Sequence, residues 1–252
     1  MKRALVTGAA RRVGRAIAVE LARSGFEVGI HHRGSAEDAA ETVRLCTEAG
    51  GAAWLVQADL GSVDGCRVVV DAVTARWDGL DLLVNNASAF DPCAFEAISV
   101  DAWERMMALH ARAPFLLSQG LLPLLRARPS IARGAAPGEA GLVVHLVDIG
   151  ADRPVAGYAH YSVSKAALLM LVKAMAVELA PSVRTVGVSP GQVAWPEDYP
   201  TALRDRITSR IPMRRVGTPD DIASLVRFLA MEAPYLNGVV VDVDGGLGVR
   251  YG

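Results

Sequence analysis

Short apolar runs alternate with longer amphipathic stretches along almost the whole chain. The apolar runs fall at 4–6, 27–30, 53–57, 80–84, 142–147, 184–188 and 239–243 and predict strands. Between them, helical periodicity covers 12–24, 36–49, 62–77, 100–126, 158–180 and 219–231. Strand and helix in strict alternation predict an α/β fold: a doubly wound parallel sheet of about seven strands with helices on both faces. Ligands of such sheets bind at the carboxyl ends of the strands. The rhythm runs from residue 1 to residue 252 without a linker or a repeat, so a single domain is expected. Two segments break it. Residues 126–141, rich in Arg, Ala, Gly and Pro, are expected to form an exposed insertion. Residues 192–213 follow a strand end, mix Pro, Trp and charges, and are expected to overhang the ligand as a substrate loop.

Composition narrows the picture. Apolar residues make up 52% of the chain, enough for a sheet buried on both faces. A formal charge of −1 gives no reason to expect nucleic acid or a membrane surface as partner. No apolar run reaches membrane-spanning length and the N-terminus leads directly into a strand pattern, so a cytoplasmic protein is expected. Cys46, Cys66 and Cys93 fit neither a zinc nor a redox spacing, and no metal site is expected.

The first strand runs into Thr7-Gly8-Ala9-Ala10-Arg11-Arg12-Val13-Gly14, which opens a helix. Strand, glycine turn and helix form the setting in which a pyrophosphate meets backbone N–H groups at a helix N-terminus. Arg12 stands where a glycine would be usual, and its guanidinium would project into the same cavity. A solvated arginine is the alternative, though one placed awkwardly at the positive end of the helix dipole. Further on, Tyr161 and Lys165 stand four apart on one helical face. An ammonium beside the phenol is expected to lower its pKa and help it exchange a proton with substrate. An ordinary surface Tyr and Lys would explain that pair in isolation, but here the helix follows the strand that ends in Asp148.

Together these motifs make the chain resemble the short-chain dehydrogenase/reductase family. The matching elements are the TGxxxxxG turn, Asp59-Leu60, Asn85-Asn86-Ala87, Tyr161/Lys165, Ser189-Pro190-Gly191 and the closing Asp244-Gly245-Gly246. Three departures are similar to one branch of it, the pteridine and dihydromonapterin reductases: Arg12, Ser88 after Asn-Asn-Ala, and Asp148 in place of the usual catalytic serine. The resemblance implies NADPH, an aromatic sandwich around Phe90, and Asp148, Tyr161 and Lys165 as the catalytic set. It implies that Gly8, Val13, Gly14, Asn86, Ala87, Ser88, Lys165, Pro190 and Gly191 line the cofactor, with Asp59 and Leu60 beside the adenine. It also implies a homotetramer.

The chemistry of the departures points the same way. A carboxylate would repel charge developing on a ketone oxygen, whereas a pterin offers ring N–H and amine groups that Asp148 can accept from. Asp148 as a loop or helix cap is the alternative. Phe90, just after the fourth strand, is placed to stack on a flat heteroaromatic ring, or else plugs the core. Arg12, Ser88 and Trp195 complete the expected substrate wall. At the end of the second strand, where an acid would select NAD, the chain reads His31-His32-Arg33-Gly34-Ser35. Arg11, His32, Arg33 and Ser35 are expected to surround a 2′-phosphate. His110 occupies the position where the family commonly has an asparagine. It is expected either to serve the proton relay or to be a buried, satisfied histidine. The reading is an NADPH-dependent reductase of dihydropterins. Its rivals are a generic carbonyl or 3-oxoacyl reductase and a non-catalytic NADPH-binding sensor.

Overall fold

The protein is described from a computed structural model, over residues 1–195 and 199–249. A 7-stranded, all-parallel sheet runs in the order β3-β2-β1-β4-β5-β6-β7. The strands are β1 (Lys2–Val6), β2 (Phe26–His32), β3 (Ala52–Gln57), β4 (Leu82–Asn85), β5 (Leu142–Leu146), β6 (Arg184–Pro190) and β7 (Val240–Val243). On one face lie α1 (Arg12–Arg23), α2 (Ala36–Glu48) and α8 (Pro219–Met231). On the other lie α3 (Val63–Arg76), α5 (Ala113–Arg126) and α6 (Ala159–Glu178).

Period-2 alternation divides the core. Ala4 and Val6 of β1, Leu82 and Val84 of β4, and Val144 of β5 point to the α1/α8 side, where Ile17, Leu21, Val226 and Leu229 meet them. The intervening Leu5, Leu83 and Val143 point to the opposite layer, against Val69, Leu117 and Leu121. Helices on both faces explain why β5 is buried at every residue. Strand order reverses between β1 and β4, which opens a crevice at their carboxyl ends.

The expected helix at 100–126 is one helical path of three parts: α4 (Val100–Met107), a π-helical turn (Ala108–Arg112) and α5. Pro114 explains the widened turn. It has no N–H to give the carbonyl of His110, and its ring crowds that carbonyl. Residues 126–141 are largely exposed or half-buried, but the segment is tied to the body of the protein. Ala132 is buried, Arg133 N–H donates to Met231 C=O at 2.8 Å, and Ala140 N–H donates to Ser182 C=O at 2.7 Å. Between 192 and 213 lies a helix absent from the periodicity, α7 (Thr201–Arg210). Its apolar residues are too few for a stripe. Residues 196–198 of that expected substrate loop lie outside the described residues. Its base is tied down by a bridge between Val193 and Gly217. Among the described residues no helix is long and apolar enough to cross a membrane.

Candidate active site

The glycine turn is fixed by sterics. Gly8 has φ +63°, and a Cβ on Gly14 would lie 2.3 Å from the Gly8 carbonyl oxygen and 2.6 Å from Asn86 Nδ2. No residue larger than glycine fits there. Asn86 stitches the end of β4 to the turn: its Nδ2 donates to Thr7 C=O at 2.8 Å and to Gly8 C=O at 3.1 Å. Thr7 Oγ1 accepts from the backbone N–H groups of Asn86 and Ala87. His31, which sequence reasoning did not assign to the site, holds the other side. Its Nδ1 accepts from Gly8 N–H at 3.1 Å and its Nε2 lies 3.1 Å from Ala58 C=O. Burial pushes its pKa down to about 4, so it stays neutral. Two adjacent histidines at a strand end were the available signal.

A cleft of about 1070 Å³ runs from this turn to Lys165. It brings together nearly all the expected site residues: Gly8, Arg11, Arg12, Val13, Gly14, His32, Arg33, Ser35, Asp59, Leu60, Asn86, Ala87, Ser88, Phe90, Asp148, Tyr161, Lys165, Pro190 and Gly191. The N-terminus of α1 faces it with no acid in the first turn and no side-chain cap on Arg11. Its N–H groups and dipole are therefore open to an anion. Arg12 is exposed in the cleft with φ +50°, in the left-handed region that favours glycine. Gly191 is needed where β6 leaves the sheet, because a Cβ there would meet Asp244 Cβ at 2.7 Å. In the closing Asp244-Gly245-Gly246, both glycines have positive φ, +64° and +85°.

One of the expected cleft residues is already paired, and one expected residue lies elsewhere. The Arg11 guanidinium is held by Asp38 at 2.5 Å, so its charge is already answered on the cleft rim. Trp195 does not line the cleft. It stacks on Tyr199, with centroids 5.8 Å apart.

At the other end, Asp148 does two jobs that the sequence presented as alternatives. Its Oδ1 caps the short turn after β5 by accepting from Gly150 N–H at 2.7 Å, and its Oδ2 accepts from the Tyr161 hydroxyl at 2.9 Å. Burial pushes the Asp148 pKa up, against the Gly150 and Tyr161 hydrogen bonds and the Lys165 charge that favour its ionised form. Tyr161 is corrected in direction. Burial, and then the neighbouring Asp148 carboxylate, push the phenol well above its ordinary value rather than below it. Tyr161 is thus a protonated donor. Lys165 is fully buried, donates to Leu146 C=O at 2.8 Å, and sits 5.7 Å from the Tyr161 ring centre. Loss of water lowers its pKa to about 8, in part offset by Asp148.

Phe90 is 53% exposed, and one of its faces is already covered by Tyr158, 4.1 Å away and only 10° from parallel. Tyr158 is a further aromatic wall that sequence reasoning missed. Its only signal was its place three residues before Tyr161. His110 is buried inside the π-helical turn, with its ring edge-on to Tyr161. Both its nitrogens are engaged by serines, Nε2 by Ser88 Oγ at 2.9 Å and Nδ1 by Ser164 Oγ at 2.8 Å. Burial holds its pKa down at about 2, so the ring is neutral near pH 7.

A glycine turn at the switch point of a parallel sheet, opposite a buried Asp–Tyr–Lys cluster, defines an oxidoreductase that binds a nicotinamide cofactor. The family model described as enoyl-(acyl carrier protein) reductase matches residues 8–248. The chain belongs to the short-chain dehydrogenase/reductase family.

Its relatives differ in substrate. Pteridine reductase 1 of Leishmania tarentolae is 32% identical over 96% of this chain and 95% of its own. L-rhamnose 1-dehydrogenase of Azotobacter vinelandii is 34% identical over 99% and 97%. A 3-oxoacyl-(acyl-carrier-protein) reductase of Staphylococcus epidermidis is 31% identical over 98% of each chain. Among solved structures, the angucycline C-6 ketoreductase LanV with bound NADP superposes with a TM-score of 0.89 at 28% identity, covering 99% of this chain and 96% of LanV.

Proposed function

We propose that the chain is an NADPH-dependent reductase of dihydropterins, such as dihydromonapterin or dihydrobiopterin. The observation that carries this reading is the Asp148 carboxyl hydrogen-bonded to the Tyr161 hydroxyl beside an exposed Phe90 ring. In a ketone reductase the partner of the tyrosine must tolerate a developing oxyanion, and a carboxylate does not. A pterin brings ring N–H and amine donors, which a carboxylate accepts, and a flat ring for Phe90.

The cleft fits the cofactor. Gly8, Val13 and Gly14 with the open α1 N-terminus would hold the pyrophosphate, and Asp59 and Leu60 would flank the adenine. His32, Arg33 and Ser35 would meet the 2′-phosphate. Buried His32 keeps an unpartnered Nδ1, and no acid lies between residues 31 and 35. Asn86, Ala87, Pro190, Gly191 and Lys165 would border the nicotinamide riboside. When bound, the cofactor supplies a hydride to a C=N carbon of the dihydropterin. Tyr161 then releases its proton toward the ring nitrogen, and Lys165 steadies the phenolate left behind. Asp148 accepts from the substrate and orients the Tyr161 O–H. The balance is dihydropterin, NADPH and one proton to tetrahydropterin and NADP.

Carbonyl reduction is the second reading, favoured by the 3-oxoacyl reductase relative and by the Tyr161/Lys165 pair it would equally use. A sensor without turnover would have no use for that pair. The homotetramer is proposed with the enzyme. Phe115, Met170 and Val177 leave apolar surface on α5 and α6, and light scattering would read the mass. The test of function is NADPH oxidation with dihydromonapterin, dihydrobiopterin, dihydrofolate and a panel of ketones. Dihydropterin turnover is expected. Turnover of ketones alone sinks the proposal.

A further inference from the structure

We propose that His110 is a positioning residue that fixes the proton direction of Ser88, so that Ser88 offers only lone pairs to the substrate half of the cleft. The hydrogen bonds around the ring assign its tautomer. Ala89 N–H donates to Nε2 at 3.3 Å, so Nε2 carries no proton. The Ser164 hydroxyl spends its proton on Tyr161 C=O at 2.7 Å, so at 2.8 Å from Nδ1 it can only accept. The ring proton is therefore on Nδ1. The remaining contact, Ser88 Oγ to Nε2 at 2.9 Å, has one proton to share, that of Ser88, and it outcompetes the 3.4 Å contact of the same hydroxyl to Ala89 C=O. The ring is 1% exposed, which leaves no water to replace any of these partners.

Local structure explains why the chain can build this clamp. The π-helical turn ahead of Pro114 carries His110 between Ser88, after β4, and Ser164 on α6. The consequence reaches the substrate. Ser88 is exposed to the cleft, so its free lone pairs face whatever binds there. Tyr161 supplies a donor, while Asp148 and Ser88 supply acceptors. A substrate that meets Ser88 must bring an N–H or O–H to it, and a bare carbonyl oxygen would meet lone pairs instead. This deepens the dihydropterin reading and rests on it for the identity of the donor, a ring N–H or exocyclic amine.

The direct test needs no substrate. Long-range proton–nitrogen correlation on the full chain labelled with ¹⁵N-histidine, with the His110 signals assigned by their loss in His110→Gln, should give a neutral Nδ1–H ring unchanged from roughly pH 5 to 9. An Nε2–H ring, or one that protonates in that range, overturns the proposal. In turnover, His110→Gln should lower the kcat/KM ratio of dihydropterin to ketone about tenfold, because the glutamine amide can donate to Ser88 and reverse it. The double variant with Ser88→Ala should then match Ser88→Ala alone, and additive losses overturn the coupling. If His110→Gln does not fold, Ser88→Ala leaves the ring in place and must lower the same ratio by a similar factor. An unchanged ratio refutes the acceptor role. The expected ring signature together with no dihydropterin turnover would instead count against the proposed substrate, and leave the clamp standing.

Discussion

The two halves of the cleft recognise their ligands by different physics. Around the glycine turn the walls are backbone, and the fit is steric. Gly14 touches Gly8 C=O and Asn86, and the turn is pinned by Asn86 on one side and neutral His31 on the other. Around Asp148 the walls are side chains from β5, α6 and the loop after β4, and the fit is a placement of protons. The first half suits a ligand of constant shape. The second concentrates the titratable groups that would act on substrate, Asp148, Tyr161 and Lys165, all with pKa values shifted by burial.

The contrast predicts that substitutions separate binding of cofactor from chemistry. Gly14→Ala should have the largest effect. Its methyl collides with backbone on one side and with the Asn86 amide on the other, so the helix must move away from the strand. A loss of ~1–3 kcal/mol in stability is expected, with NADPH binding abolished in a fluorescence titration. Wild-type affinity in that variant would break the steric account. Tyr161→Phe should do the reverse. It removes the donor that Asp148 holds, so kcat should fall roughly 10²–10⁴-fold with NADPH affinity kept. Stopped-flow hydride transfer in the preformed complex separates the two terms.

The same contrast decides how much was legible in the sequence. The sheet, its parallel sense and the glycine turn followed from apolar period and from a steric rule that acts within a few residues. Arg12, Ser88 and Asp148 stood out as departures from a known pattern, and all three line the cleft. Other features depended on contacts across long separations. That Asp38 would take up Arg11, that Tyr158 would cover Phe90, and that Asp148 would raise rather than relieve the Tyr161 proton affinity each needed three-dimensional proximity. Helix α7 was illegible for another reason: its polar sequence carries no apolar stripe. The widened turn at His110 had only a partial signal in Pro114, because Pro123 lies inside α5 without such a turn.

Cofactor choice tests the rim between the halves. With Arg11 committed to Asp38, Arg33 is the principal cation at the end of β2. Arg33→Asp should shift the NADPH/NADH ratio of kcat/KM by at least about tenfold toward NADH, as a carboxylate repels the 2′-phosphate and accepts from ribose hydroxyls. An unchanged ratio would place selection elsewhere. Asp148→Asn probes the proton-placing half by pH. Because the folded-state pKa of Asp148 is raised, the native state binds more protons than the unfolded chain between the ordinary carboxylate value and the raised one. Its contribution to stability is full below the ordinary value and is lost as pH rises through the raised one. Asparagine has no charge to bury and can still cap Gly150, so denaturant titrations should show the variant gaining on the wild type as pH rises through that window. A pH-independent difference would mean that Asp148 does not titrate there.

Arg12 lies in the glycine turn and lines the cleft, and its effect should be the smallest and the most informative. Its φ of +50° places a side-chain-bearing residue in left-handed backbone, at a cost of ~1–2 kcal/mol. Glycine would relieve that strain but adds freedom to the unfolded chain, an opposing ~0.5–1 kcal/mol. Arg12→Gly should therefore leave stability unchanged or raise it by up to about 1.5 kcal/mol. If the strain is retained for the guanidinium, affinity for NADPH should fall several-fold at low salt. The difference should shrink as salt screens it, because the lost interaction is between charges on an open cleft wall. A stability loss with affinity intact would assign Arg12 to the architecture of the turn. A gain in stability with weakened, salt-sensitive binding would mark it as a residue that the fold tolerates for the sake of an anion.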